Sequence, residues 1–313
     1  MSPIRSRRDF LAAASATAAA SMFVSADSAS ADQKQGQATS DSQDVKPPVA
    51  PIGVFTKPLN SISFDEMADV LAEAGFDGIE APVRPGGNVE PEKVEDDLPR
   101  LVEALDKRGL KVLLITTDIR DASDPLTKRV LRTAATLGIQ RYRMEYLKYD
   151  LNQNIADQIQ QWRPGLQDLA ALNHSYGIQG LYQNHAGKNY FGAPIWDLHL
   201  GLQGIAKSDL GVAYDIRHGI AEGGMSWPVA LELIRPHIGA MYIKDFKWDG
   251  NRLINVPLGE GRVGKEAIQA MKLGEFDGPI SLHEEYLDHR KPELVPDHLK
   301  AMKTDLQTLK QWI

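Results

Sequence analysis

The residues best equipped for chemistry in this sequence stand at the ends of short apolar runs. Leu210–Gly219 reads Leu-Gly-Val-Ala-Tyr-Asp-Ile-Arg-His-Gly: an apolar half, then Asp215 and His218 three residues apart. A carboxylate and an imidazole placed together can bind a metal, move a proton or hold a sugar hydroxyl. The pattern recurs. Other apolar runs end in Glu80, in Arg143 and Glu145, and in Gln183-Asn184-His185. Later ones end in Tyr242, Lys244 and Asp245, and in His283-Glu284-Glu285. His185, Lys244, His283 and Glu284 have the chemistry of acid–base catalysts. Glu80, Glu145, Asn184 and His218 suit hydrogen bonding to a polyhydroxylated ligand, and Trp248 offers a stacking face. Each also has a plainer use. Glu145 can pair with Arg143 or Lys148, Lys244 with Asp245, and the histidines with backbone.

The elements that must position these groups are short strands and amphipathic helices in alternation. Ile52–Phe55, Gly78–Ala81, Lys111–Thr116, Arg141–Leu147, Ile178–Gln183, Leu210–Asp215, Ala240–Ile243 and Pro279–Leu282 read as strands. Helical spacing follows each of them, and Gly75, Gly109, Gly138, Gly177 and Gly274 mark helix ends. Ser63 is placed to cap the first helix, with Glu66 at the capping-box position. Eight strand–helix units in about 260 residues imply a parallel sheet, and that number closes a (β/α)₈ TIM barrel. An open doubly wound sheet would carry a Gly-rich dinucleotide turn after its first strand, and none is present. In a barrel the strand C-termini surround one mouth, where side chains alternate inward and outward, so only some of each set can meet.

Composition narrows the choices further. The chain has 313 residues, 42% hydrophobic and 25% charged, as expected of a globular protein. A net charge of −7 and a pI of 5.7 give no support for nucleic-acid binding. There is no cysteine, so any metal would rest on His, Asp, Glu or amide oxygens. At the N-terminus, Arg7-Arg8-Asp9-Phe10-Leu11 precedes an Ala-rich stretch and the small-residue site Ala29-Ser30-Ala31. That pattern resembles a twin-arginine signal over residues 1–31, implying export through the twin-arginine machinery to the periplasm. Residues 32–49, rich in Gln, Ser, Asp and Lys, read as a disordered linker, with one barrel domain over 50–313 and no transmembrane segment in the mature chain.

Several stretches carry a resemblance in their order and spacing. They are Ala74-Gly75-Phe76-Asp77-Gly78-Ile79-Glu80, Asn184-His185, Asp215-x-x-His218 and Tyr242-Ile243-Lys244-Asp245. Pro257-Leu258-Gly259-Glu260-Gly261 and Gly278-Pro279-Ile280-Ser281-Leu282 complete the set. From about Pro51 onward the chain resembles the xylose isomerase-like barrels, a group of sugar and sugar-phosphate isomerases, epimerases and related enzymes. The resemblance implies one divalent metal (Mn, Mg, Co or Zn) held by a Glu, an Asp, a His and a Glu from strands five to eight. It also implies that the two Glu residues move the proton. Here those positions read Gln183, Asp215, Tyr242 and His283, so one of the four ligands is kept. Gln cannot act as a general base, and the ligand set is reduced to Asp215, Gln183 and His283. Two functions follow: a sugar isomerase or epimerase-like enzyme acting on a sugar, keto-sugar or polyol, or a carbohydrate-binding barrel that has lost its metal site. A metal-dependent phosphodiesterase is disfavoured by the missing ligands and the acidic pI.

Overall fold

The computed structural model describes residues 50–313. The signal and linker expected over residues 1–49 lie outside the described residues. Eight parallel strands close into a barrel in the order β1-β10-β7-β6-β5-β4-β3-β2. The first five are β1 (Ile52–Phe55), β2 (Gly78–Pro82), β3 (Lys111–Thr116), β4 (Arg141–Arg143) and β5 (Gln179–Gln183). They are followed by β6 (Leu210–Asp215), β7 (Ile238–Ile243) and β10 (Ile280–Leu282). The remaining two, β8 (Asp245–Asp249) and β9 (Arg252–Val256), form a separate antiparallel hairpin. The fold is the (β/α)₈ barrel that the alternating pattern implies.

The barrel strands are short and apolar because both their faces are covered. β2, β6 and β7 are buried at every residue. Inside the barrel, Leu114, Leu181, Ala213, Ala240 and Tyr242 pack into a small cluster of their own. This plug fills the lower barrel and forms the floor beneath the mouth. The larger core lies between the strands and the helices outside them.

Local signals explain most element boundaries. Ser63 caps α1 (Phe64–Ala74) by accepting from the Glu66 backbone N–H at 3.2 Å. Gly75 ends that helix at φ 86°, a left-handed conformation in which a side chain would be strained. α2 spans Val94–Asp106 with Pro99 inside it, and Glu95, Asp96 and Asp97 give it an acidic first turn. Three departures bear on the site. β4 is only three residues long, so Met144–Leu147 is irregular. β6 runs straight into a helix that the strand pattern concealed, α6 (Ile216–Gly223). The β8–β9 hairpin occupies what reads in sequence as a loop after strand seven.

Asp245 anchors that hairpin. Its carboxylate accepts from the backbone N–H groups of Phe246, Gly259, Gly261, Arg262 and Val263 at 2.7 to 3.0 Å. An anion ringed by backbone donors fixes the Pro257–Gly261 turn, so Asp245 does not pair with Lys244.

Candidate functional site

At the C-terminal mouth lies a cavity of about 170 Å³, small beside the roughly 300–1,000 Å³ of drug-sized sites. Its centre is Lys244, one residue beyond β7 and 5% exposed. The ammonium stands 3.0 Å from Asp215 Oδ2 and 3.0 Å from Glu285 Oε2. Burial disfavours a charged lysine, but Asp215 and Glu285 outweigh it and raise its pKa, so Lys244 is a fixed cation. Glu285 is held well below the carboxylate range: burial opposes ionisation, but Lys244 and His283 overcome it.

Asp215 is fully committed. Its Oδ1 accepts from the His218 backbone N–H at 3.2 Å and so caps α6. Its Oδ2 accepts from Gln183 Nε2 at 2.8 Å besides meeting Lys244. Asn184 stitches the two strands together. Its Oδ1 accepts from Asp215 N at 2.7 Å and its Nδ2 donates to Asp215 O at 3.1 Å.

A second buried ion pair crosses the barrel from β2 to the end of β10. Glu80 Oε2 lies 2.8 Å from His283 Nε2 and accepts from Ser281 Oγ at 2.6 Å. Its Oε1 accepts from Tyr242 OH at 2.9 Å and from Thr116 Oγ1. Burial opposes ionisation of Glu80, yet His283, Ser281 and Thr116 together hold it at about 2. His283 is raised despite burial, by Glu80 and by Glu285, whose Oε1 is 3.6 Å from Nδ1. Its ring stacks on Phe55 at 4.8 Å between centroids.

His185 differs from its neighbours in being neutral. Burial, and then the Lys244 charge, lower its pKa to about 4. Its Nδ1 lies 2.9 Å from the Ala186 carbonyl. A carbonyl only accepts, so Nδ1 carries the proton and Nε2 keeps its lone pair. The ring is held between Tyr190, at 4.7 Å, and His218, at 4.1 Å. Tyr146 closes this wall, donating to Gln183 Oε1 at 2.5 Å. Arg143 lies 4.7 Å over the Tyr146 ring, is 4% exposed, and its NH1 has no hydrogen-bond partner.

The structure thus brings Glu80, Gln183, His185, Lys244 and His283 to one cavity. Other expected residues fall elsewhere. Glu284 points outward: its Oε2 meets His298 Nδ1 of α9 (Val295–Trp312), and its Oε1 accepts from Tyr286 N and Leu287 N. Strand alternation gives the reason, since Ser281, His283 and Glu285 share the inward face and Glu284 has the opposite one. Asn184 holds Asp215 rather than a ligand, and His218 lies beneath His185, 2% exposed. His218 Nε2 is 3.4 Å from Asp215 Oδ2 without forming a hydrogen bond. Glu145 stands outside the cavity lining, accepting from the Tyr146 N–H at 2.9 Å. Trp248 sits on the β8 hairpin, 46% exposed and edge-on to Phe246, away from the lining. Missed from sequence were Tyr146 and the loop residues Lys57 and Arg84, while Arg143 and Glu285 stand among the strand-end residues without a site role assigned to them. Parity with His283 points to Glu285; the loop cations carry no sequence signal.

The expected metal ligands do not fit a divalent ion as they stand. Lys244 lies between the two carboxylates, Gln183 turns its amide nitrogen toward Asp215, and His283 Nε2 faces Glu80. Tyr242 OH also donates to Glu80. Among the described residues no group of three or more His, Asp or Glu side chains is arranged to hold an ion.

The family model for the xylose isomerase-like TIM barrel matches residues 68–311. Solved structures share the fold at low identity. The probable 3-DHS dehydratase AsbF from Bacillus anthracis is 18% identical with a TM-score of 0.64, over 82% of this chain and 98% of that one. The 3-keto-D-glucoside 4-epimerase YcjR from E. coli is 14% identical with a TM-score of 0.64, over 84% and 99%. The D-allulose 3-epimerase from Methylomonas sp. is 18% identical with a TM-score of 0.63, over 85% and 99%. No protein of curated function matches the sequence closely enough to count as a relative. The closed eight-strand barrel and the extent of the family match agree: the chain belongs to the xylose isomerase-like TIM barrel family.

Proposed function

We propose that the barrel mouth catalyses proton transfer beside a carbonyl in a small sugar, keto-sugar or polyol, as in isomerisation, epimerisation or a related elimination. The observation that carries this reading is the neutral His185 imidazole in the same cavity as the Lys244 ammonium. With Nδ1–H fixed on the Ala186 carbonyl, Nε2 is the base. Lys244 and Arg143 are the cations positioned to stabilise an oxyanion as the proton leaves carbon. In the metal-dependent relatives implied by the sequence, a divalent ion would supply that charge; here Lys244 stands between Asp215 and Glu285. The polar, confined cavity suits a single sugar ring or open-chain sugar, in keeping with the epimerases and the dehydratase that share the fold. Export by the twin-arginine route to the periplasm is part of the same proposal, carried by Arg7-Arg8-Asp9-Phe10-Leu11.

The test is deuterium incorporation from D₂O into ketoses, aldoses, keto-polyols and sugar acids, followed by proton NMR. Exchange at the carbon next to the carbonyl that disappears in His185→Asn supports the reading. Binding without exchange for every compound moves the assignment to a carbohydrate-binding barrel. The ion pairs that occupy Glu80, Asp215 and Glu285 favour that second reading.

A further inference from the structure

Charge is not balanced around the cavity. Glu80 is matched by His283, and Lys244 by Asp215 and Glu285. Three further cations line the same cavity: Lys57 after β1, Arg84 after β2 and Arg143 at the end of β4. None of them forms an ion pair with a carboxylate among the described residues. Two are held by aromatic faces instead. The Arg84 guanidinium lies 5.9 Å over Phe55 and that of Arg143 lies 4.7 Å over Tyr146.

Arg143 carries the argument. It is 4% exposed, it cannot lose its charge, and its buried NH1 has no partner. Against the cost of burial, Tyr146, Tyr242, Glu80 and Glu145 favour its charge from a distance, but no carboxylate touches it, so a ligand is its natural direct partner. The carboxylates nearby are otherwise engaged. Glu80 accepts from Thr116, Tyr242, Ser281 and His283. Glu145 accepts from the Tyr146 N–H, and burial together with Glu145 raises the Asp118 carboxyl. Glu285 pairs with Lys244. Burial and its cationic neighbours Arg84, Lys244 and Arg143 lower Lys57, against the pull of Glu285, so an arriving anion would relieve a mutual repulsion.

We propose that the cavity takes a substrate bearing its own anionic group, a carboxylate or a phosphate ester, bound by Arg143 from within and by Arg84 and Lys57 at the rim. This rests on the sugar-directed reading above for the rest of the ligand. Guanidinium groups favour carboxylate and phosphate equally by geometry, since both accept two parallel N–H bonds.

The experiment is calorimetric titration and thermal melting of the full chain at constant ionic strength with D-fructose, D-gluconate, D-fructose 6-phosphate and inorganic phosphate. At least one anionic sugar should bind ten times or more tightly than D-fructose. Gluconate ahead of the phosphate ester identifies a carboxylate, and the reverse a phosphate. Inorganic phosphate should raise the melting temperature by itself in the second case. Arg84→Gln should weaken the anionic sugar tenfold or more and leave D-fructose unchanged, and Arg143→Gln should weaken the anionic sugar at least ten times more than it weakens D-fructose. Arg143→Gln loses the Tyr146 face but no hydrogen bond from NH1, so it should lower the melting temperature of the free protein by less than it removes from the rise that the anionic sugar produces. A purely structural arginine would show the reverse. Equal affinity for neutral and anionic sugars, no anion binding at all, or undiminished anion binding in both variants overturns the proposal. Deuterium exchange on a neutral ketose with no preference for anions would retire this inference and leave the proton-transfer reading standing. Tight anion binding without exchange would do the opposite.

Discussion

Replacing Lys244 with Met removes the cation from between the buried Asp215 carboxylate and the half-buried Glu285 carboxylate and keeps the side-chain volume. Each contact is 3.0 Å. At an effective dielectric of about 20, a pair at that distance is worth roughly 5–6 kcal/mol before desolvation. Burying the lysine costs several kcal/mol against this, and breaking a buried pair by deleting one member typically costs about 3–5 kcal/mol. The variant should lose stability in that range at pH 7, measured by urea unfolding followed by circular dichroism. The pH dependence is the sharper part. In the wild type Glu285 is depressed, so its stabilising contribution is present above the ordinary glutamate pKa and fades as pH falls through the folded value. Without Lys244 the largest charge that lowers Glu285 is gone and His283 alone remains, so the folded variant takes up a proton at Glu285 more readily than the folded wild type does. The gap between the two proteins should therefore narrow from pH 7 to pH 4. Adding Glu285→Gln should recover at most about 1 kcal/mol at pH 7, because Glu285 is 32% exposed and keeps His283 as a partner. A loss below about 1 kcal/mol, unchanged with pH, would refute the reasoning that Lys244 neutralises this pair.

Two further outcomes follow from the buried acids. Glu80→Gln removes the negative member of the pair with His283 and should cost about 3–5 kcal/mol at pH 7 in the same urea assay. Because Glu80 is lowered to about 2, its stabilisation is present above the ordinary glutamate value of about 4.5 and is lost as pH falls from there through about 2, so the variant and wild type should converge only near pH 2 and below. Asp305 runs the other way. Burial raises its carboxyl to about 6, while Leu258 N donates to it at 3.0 Å. Stability from this group is present at low pH and lost as pH rises from about 4 through 6. Asp305→Asn should be at least as stable as wild type at pH 7, by as much as about 2–3 kcal/mol, and should flatten that part of the pH–stability curve.

The barrel was legible because it needs only alternation and punctuation. Buried apolar runs of three to six residues, helices stopped by Gly75 and Gly177, and a capping Ser63 suffice to define it. The site was legible to the extent that strand ends must face the mouth, which singled out Glu80, Gln183, His185, Lys244 and His283. Facing was harder. Glu284 and Glu285 are the same residue type one position apart, and only strand parity separates the one bound to His298 from the one bound to Lys244. Asn184 and His218 share the strand-end signal, yet their geometry serves Asp215 and α6, because a strand that turns directly into a helix needs its backbone groups satisfied. Lys57 and Arg84 come from loops without periodicity, so nothing in their spacing announced them.

The claim at the centre of this account is that an ammonium holds the place between Asp215 and Glu285. The direct test is titration of Mn²⁺ into the chelator-treated full chain and into Lys244→Met, followed by calorimetry and electron paramagnetic resonance. The wild type should take up no stoichiometric ion, whereas the variant, with no ammonium between the two carboxylates, should bind one more tightly than wild type. One tightly bound ion per wild-type chain, lost on Asp215→Ala and indifferent to Lys244→Met, would contradict the account.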